Sequence, residues 1–190
     1  MGHDLLDFLL RRRSVKPKDM LQERPSKSEL QLILRAAARV PDHKKLVPWR
    51  FIIVEDGARE RLGAVLAEAL LAEEKEPPSD FRLESERQRP LDAPLIVAVV
   101  SRAKEGVPGA PEWEQVLSAG AATFNLCLAA NALGYATNWL TGWYSYSPYV
   151  QRALGLADGE RFAGFVYIGK AQAKPDDRDR PDLDAIVTRF

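Results

Sequence analysis

Residues 113–134 read WEQVLSAGAATFNLCLAANALG. After Glu112 and Glu114 the run contains no charge, and it contains no proline. Leu117, Ala121, Phe124, Leu128 and Leu133 recur at roughly helical spacing, with alanine filling most of the other positions. This pattern predicts one long helix, apolar on nearly every side, that must be covered on nearly every side. The acidic residues suit the positive end of its dipole, and Gly134 suits a left-handed stop. Ser118, Thr123, Asn125 and Asn131 are too polar for lipid, so the length does not imply a membrane span.

The 190 residues, 46% apolar, suit a single domain over 1–190 with a proper core. Twenty-seven basic and 27 acidic residues cancel, so no global field recruits nucleic acid or anionic membrane. The apolar run Leu5–Leu10 is too short and too broken by Asp7 for a signal peptide. Cys127, the single cysteine, lies in the apolar helix and points to a structural thiol in a reducing, cytoplasmic setting. One cysteine and two histidines argue against a zinc site, and no metal is expected. Neither a Walker loop nor a G-x-G-x-x-G after a strand is present.

Working outward, His3–Arg12 has helical amphipathicity and runs into Arg11-Arg12-Arg13-Ser14 before Pro17. The cluster reads either as a solvated helix end or as an anion site, since two guanidiniums and a hydroxyl suit a phosphate. Ser26 and Glu29 have capping-box spacing before a second helix. Pro41–Trp49 is a proline-bracketed loop carrying His43, Lys44 and Lys45, either a candidate site or a plain connection. Strands are predicted at 50–55, 94–100, 135–141 and 162–169, and a helix at 57–72. The polar stretch 73–89 reads as a flexible excursion or a solvated helix over the site. Trp143, Tyr144, Tyr146 and Tyr149 form either a core edge or a wall for a planar ligand. Ala185–Phe190 is a lone β-prone segment in need of a sheet edge, its own or another subunit's.

Three stretches, in this order, resemble the nitroreductase family of flavoproteins, especially its small-chain branch. They are Arg12-Arg13-Ser14, then Ala37–His43 with Pro48–Phe51, and then the long helix with Gly134–Trp139 and Gly164–Gly169. The likeness weakens over 73–92 and 171–184. It implies an α+β fold: a mostly antiparallel mixed sheet flanked by helices, in a homodimer with an exchanged C-terminal segment. It implies FMN as cofactor and electron transfer from NAD(P)H to nitro compounds, quinones or similar small acceptors by a ping-pong mechanism. The cofactor carries the chemistry, so no catalytic side chain is implied.

By the same resemblance Arg12, Arg13 and Ser14 hold the phosphate and ribityl chain. Arg39 and His43 reach the flavin from a partner chain, and Trp139, Leu140 and Thr141 present backbone to the ring. Ala129, Ala130, Asn131, Ala132, Leu133 and Gly134 are the nicotinamide-side candidates. Gly169 and Lys170, by position and charge, are placed near the phosphate. Leu140 departs from the family pattern, which often has a basic residue there. A non-catalytic flavin- or ligand-binding module on the same scaffold is the alternative reading.

Overall fold

The computed structural model describes residues 2–190, with side chains described from Asp4 onward. In chain order the elements are α1 (Gly2–Arg11), β1 (Met20–Leu21), α2 (Lys27–Ala37), β2 (Trp49–Glu55), α3 (Gly57–Glu73) and α4 (Asp80–Gln88). There follow β3 (Leu95–Ser101), α5 (Glu112–Ala132), β4 (Ala136–Leu140), α6 (Pro148–Ala153), β5 (Arg161–Ala171) and α7 (Leu183–Ile186). The four predicted strands are present within two residues of their expected bounds, and the two-residue β1 is added.

Every strand pairing is antiparallel, so the mixed component of the expected sheet is absent among the described residues. β5 is the hub. It pairs with β3, with β4, and at its last two residues with β1, while β2 lies outside β3. All seven residues of β3 are buried, which explains its apolar run without alternation. Leu95, Val97 and Val99 face a core with Ile33 and Ala37 of α2 and Leu126 and Ala130 of α5. Ile96, Ala98 and Val100 face the opposite core, with Leu62, Leu66 and Ala69 of α3. The sheet is thus sandwiched between helices. The chain has no helix long and apolar enough to cross a membrane among the described residues.

The capping box forms as read: Ser26 N–H donates to Glu29 Oε2 at 2.8 Å, and Glu29 N–H to Ser26 Oγ at 3.3 Å. Residues 80–88 are a helix packed on α3, with Leu83 buried beside Ala67 and Leu70. Tyr144 resolves to core edge, stacked edge-on to Phe165 at 5.0 Å, while Tyr146 is exposed. The expected β segment at 185–190 does not form within this chain: Leu183–Ile186 is one helical turn and the last four residues pair with no strand.

α5 departs from its reading in an informative way. Its buried face is the small-residue one: Ser118, Ala119, Ala122, Thr123, Leu126, Cys127 and Ala130. The cover expected on nearly every side is incomplete within this chain, with Leu117 and Phe124 exposed alongside Trp113. Alanines let the helix axis approach the sheet and α2 closely, and polar residues on that face find local partners. Thr123 Oγ1 donates to Ala119 O, Ser118 Oγ to Pro41 O, and Asn125 to both Ala36 O and Arg39 O. Trp113, Leu117 and Phe124 are left facing away from the chain's own sheet, while Leu126 is buried against it.

Candidate functional site

Three features lie along that outer face of α5. Val116, Gly120 and Phe124 recur four residues apart and share one side of the helix. At Phe124, the Arg12 guanidinium stands 5.5 Å from the ring centroid, a cation–π contact. About one turn earlier, or roughly 6 Å, Gly120 helps line a groove of about 280 Å³ shared with Val116, Trp139, Ala163, Ser101 and Arg161. A Cβ on Gly120 would meet nothing within 4 Å, so the helix presents bare backbone there.

Behind Arg12, the end of α1 forms an arginine cradle. Arg12, Arg13, Ser14, Arg178 and Arg180 line one cavity of about 280 Å³. Arg180 is held in place, donating to Leu10 O at 3.1 Å and to Asp177 Oδ1 at 2.7 Å. Arg13 Nη1 is buried with no hydrogen-bond partner. Buried polar groups are nearly always paired, so an orphaned cationic donor among other guanidiniums fits an anion of phosphate type. Asp177 faces the same charge: a backbone hydrogen bond from Arg178 chiefly holds its carboxyl below the usual range, and Arg13 adds to this. A larger groove, about 650 Å³, adjoins the cradle between Arg12, Arg13, Asn131, Gly134, Tyr135 and Lys174.

The structure brings some of the expected residues together and separates others. Arg12, Arg13 and Ser14 converge. Asn131 and Gly134 come to the adjoining groove, whereas Ala130 is buried in the core and Ala129 packs against it. Leu133 also packs on that core and Ala132 is exposed. Trp139 lines the second groove. Leu140 turns its side chain into the core on the α3 side, leaving no side chain for a ligand, and Thr141 is exposed just beyond β4. Gly169 and Lys170 stand outside the cradle. A Cβ on Gly169 would lie 2.9 Å from Leu21 O, so this glycine serves the approach of β1. Lys170 Nζ donates to Gly134 O at 3.1 Å and sits 4.1 Å over the Tyr135 ring, tying β5 to the α5–β4 turn.

His43 lies toward the other end of α5, while Arg39 is held beside Asn125, which donates to its carbonyl oxygen at 3.0 Å. His43 Nδ1 is 2.8 Å from Glu114 Oε2. Ten residues separate Glu114 from Phe124, about 15 Å along the helix axis. The His43 loop is strained: Lys44, Lys45 and Val47 all have positive φ, at 61°, 55° and 48°. The Asp42 carboxylate holds it by accepting the N–H groups of Leu46 at 3.0 Å and Val47 at 2.9 Å, and Lys44 Nζ is pinned to Pro108 O.

Arg178, Arg180, Gly120 and Arg161 were not singled out from sequence. The R-x-R spacing in a charged tail was the available signal for the first two. Cys127 is the inert thiol that its setting implied, with burial pushing its pKa up to about 11.

Comparison with known proteins bears on this arrangement. The family model described as "Nitroreductase family" matches residues 9–170. YdjA of Escherichia coli K12, named provisionally as an NAD(P)H nitroreductase, is 37% identical over 188 residues, 98% of this chain and 100% of YdjA. The chain belongs to the nitroreductase family. A Haemophilus influenzae protein with the same provisional name is 32% identical over 171 residues, 90% of each chain. Among solved structures, a nitroreductase-like family protein from Bacillus cereus superposes with a TM-score of 0.86 at 22% identity, covering 98% of this chain and 95% of that one. A nitroreductase with bound FMN from Desulfitobacterium hafniense DCB-2 superposes with a TM-score of 0.69 at 24% identity, with full coverage of both chains. In this nitroreductase-family chain, 9–170 runs from the last turn of α1 to the last residues of β5 and stops short of Arg178 and Arg180.

Proposed function

We propose that this protein is an FMN-dependent oxidoreductase that takes electrons from NAD(P)H and delivers them to nitro compounds, quinones or similar small acceptors. The observation that carries the reading is the orphaned Arg13 Nη1 in a cradle of four arginines. In this reading Arg12, Arg13 and Ser14 bind the phosphate, with Arg178 and Arg180 added from the tail. The indole of Trp139 and the bare backbone at Gly120 border the ring. Bound there, FMN supplies the redox chemistry. The chain supplies charge, position and exclusion of water. One face open to donor and acceptor in turn gives ping-pong turnover.

The site reading includes a second copy of the chain. Leu5, Leu6 and Leu10 of α1 are 57–68% exposed, and Trp113 and Leu117 of α5 are 68% and 54% exposed. Apolar surface of this extent favours burial against a partner. A homodimer across α5 lets Arg39 and His43 of one chain approach the arginine cradle of the other, which they do not do within one chain.

The purified protein is expected to show visible flavin absorption, or to acquire it with added FMN, and to bleach when NADH or NADPH is added without oxygen. Flavin that binds but resists both donors supports the non-catalytic module instead. No binding of FMN at all sinks both.

A further inference from the structure

Trp139 and Gly164 meet across β4 and β5 in a way that strand pairing alone does not require. Along β3 and β5 the register shifts: Val99 pairs with Gly164 but Val100 with Phe162. Ala163 is therefore the extra residue of a β-bulge, and its carbonyl is turned out of the regular ladder. That carbonyl accepts the indole N–H of Trp139 at 3.0 Å. The indole then lies against Gly164. A Cβ on Gly164 would fall 2.1 Å from Trp139 Nε1 and 2.4 Å from Cδ1, distances no real Cβ contact shows. Gly164 also has φ +154°, which side chains rarely adopt. The indole is 38% exposed, and its open side lines the groove opposite Gly120.

We propose that Gly164 is a positioning residue for Trp139: its missing side chain and the bulged Ala163 carbonyl fix the indole as one wall of a slot that takes a planar heteroaromatic ring. The proposal rests on the flavin reading for the identity of that ring, though not for the placement of the indole. A methyl group at 164 would overlap the indole outright and press on the Leu140 carbonyl oxygen at the tighter but tolerable distance of 3.1 Å. The β5 backbone is held on both edges, by β3 and β4. The indole, hinged at one side chain, is what yields. It swings off Ala163 O and into the slot.

The test is a two-by-two comparison of wild type, Gly164→Ala, Trp139→Leu and the double variant. Leucine removes the Nε1 that a Cβ at 164 would strike first, and its smaller branched end can turn away where the fused ring cannot. In flavin-free protein labelled with ¹⁵N at tryptophan, the Trp139 indole N–H, assigned by its absence in Trp139→Leu, is expected to exchange slowly. In Gly164→Ala that resonance should shift and its protection should vanish. FMN titration of Gly164→Ala should show roughly tenfold weaker binding, the weight of one misplaced contact. In the Trp139→Leu background the same glycine change should leave FMN affinity unaltered. An equal loss in both backgrounds overturns the proposal, because Gly164 would then act through its own backbone. An indole N–H unmoved by Gly164→Ala overturns it as well. Should Gly164→Ala fail to fold, recovery of folding in the double variant supports the proposal and continued failure overturns it. Wild type that binds no FMN defeats the flavin reading alone, since the indole measurement still decides the placement.

Discussion

Arg13 carries a stability cost within the chain that a ligand would remove. A buried donor without a partner costs about 1–3 kcal/mol. Arg13→Ala should therefore leave the melting temperature of flavin-free protein unchanged or raised. It should also weaken FMN binding by roughly 10- to 100-fold, the weight of a charge-assisted hydrogen bond of about 1.5–3 kcal/mol. Titration calorimetry beside thermal unfolding checks both signs; a large loss of stability with unchanged affinity would refute the cradle. Val47 stores strain of another kind. A β-branched residue at φ 48° is a true outlier, so Val47→Gly should stabilise the protein by about 0.5–1 kcal/mol despite the flexibility glycine adds to the unfolded chain. Glu160 sets an acid limit. It is 10% exposed and accepts from Arg50 Nε at 3.0 Å and Nη2 at 2.7 Å, with Arg102 Nε 3.2 Å away. Hydrogen bonding from Arg50 is the main cause that holds its pKa below the ordinary 4.5. A depressed folded pKa contributes stability in full above the unfolded value and loses it as pH falls through the folded one. Urea midpoints should drop on acidification below about pH 4.5, and Glu160→Gln should flatten that drop while lowering the midpoint at neutral pH.

At the scale of elements, the helices and strands were legible because their signals are local. Ser26 and Glu29 announce α2, and the unbroken apolar run 94–100 announces the central strand. The face of α5 was not legible. The sequence reads as apolar on nearly every side and names no inner face, yet the helix turns its alanines inward, because a close approach to β3 and β5 gains more contact than Leu117 or Phe124 could make at longer range. Nothing local distinguishes a face that meets its own sheet from one that faces outward. The same blindness hid the α3–α4 contact. Gly63 looks like a defect in a helix, but a Cβ there would sit 2.2 Å from the backbone carbonyl oxygen of Arg87. Gly63→Ala adds helix propensity of about 1 kcal/mol and meets a rigid backbone rather than a side chain that can swing away. Overpacking costs of about 1–3 kcal/mol or more should win, and a lowered urea midpoint with an unchanged slope would show it. Of the site, Arg12, Arg13 and Ser14 were visible as a charge cluster on a helix end. Arg178 and Arg180 were not, because they lie in a stretch, 174–184, where most residues are charged, and only the fold brings Arg180 to the carbonyl of Leu10.

At the scale of the whole molecule, the chain divides into a core that ends with β5 and a tail that contributes nothing to it. Residues after Ala171 are absent from each buried cluster, and Leu183, Ile186 and Val187 are 55–68% exposed. Yet the tail supplies two of the four cradle arginines and ends in apolar residues with no partner in their own chain. If the protein is a homodimer, those residues should cover the partner, and removal of 176–190 should affect assembly and cofactor together while sparing the fold. The truncated chain should keep the wild-type circular dichroism spectrum, because β1 still pairs with Lys170 and Ala171. It should bind FMN more weakly through loss of Arg178 and Arg180, and sediment toward monomer at micromolar concentration. Arg178→Ala with Arg180→Ala in the full chain separates the two effects: weaker FMN binding with intact sedimentation assigns the arginines to the cradle and the apolar end to assembly. A full-length protein that sediments as a monomer removes the partner from this picture. Arg39 and His43 would then have no route to the cradle, and only Arg12, Arg13, Ser14 and the tail arginines would remain to hold a phosphate.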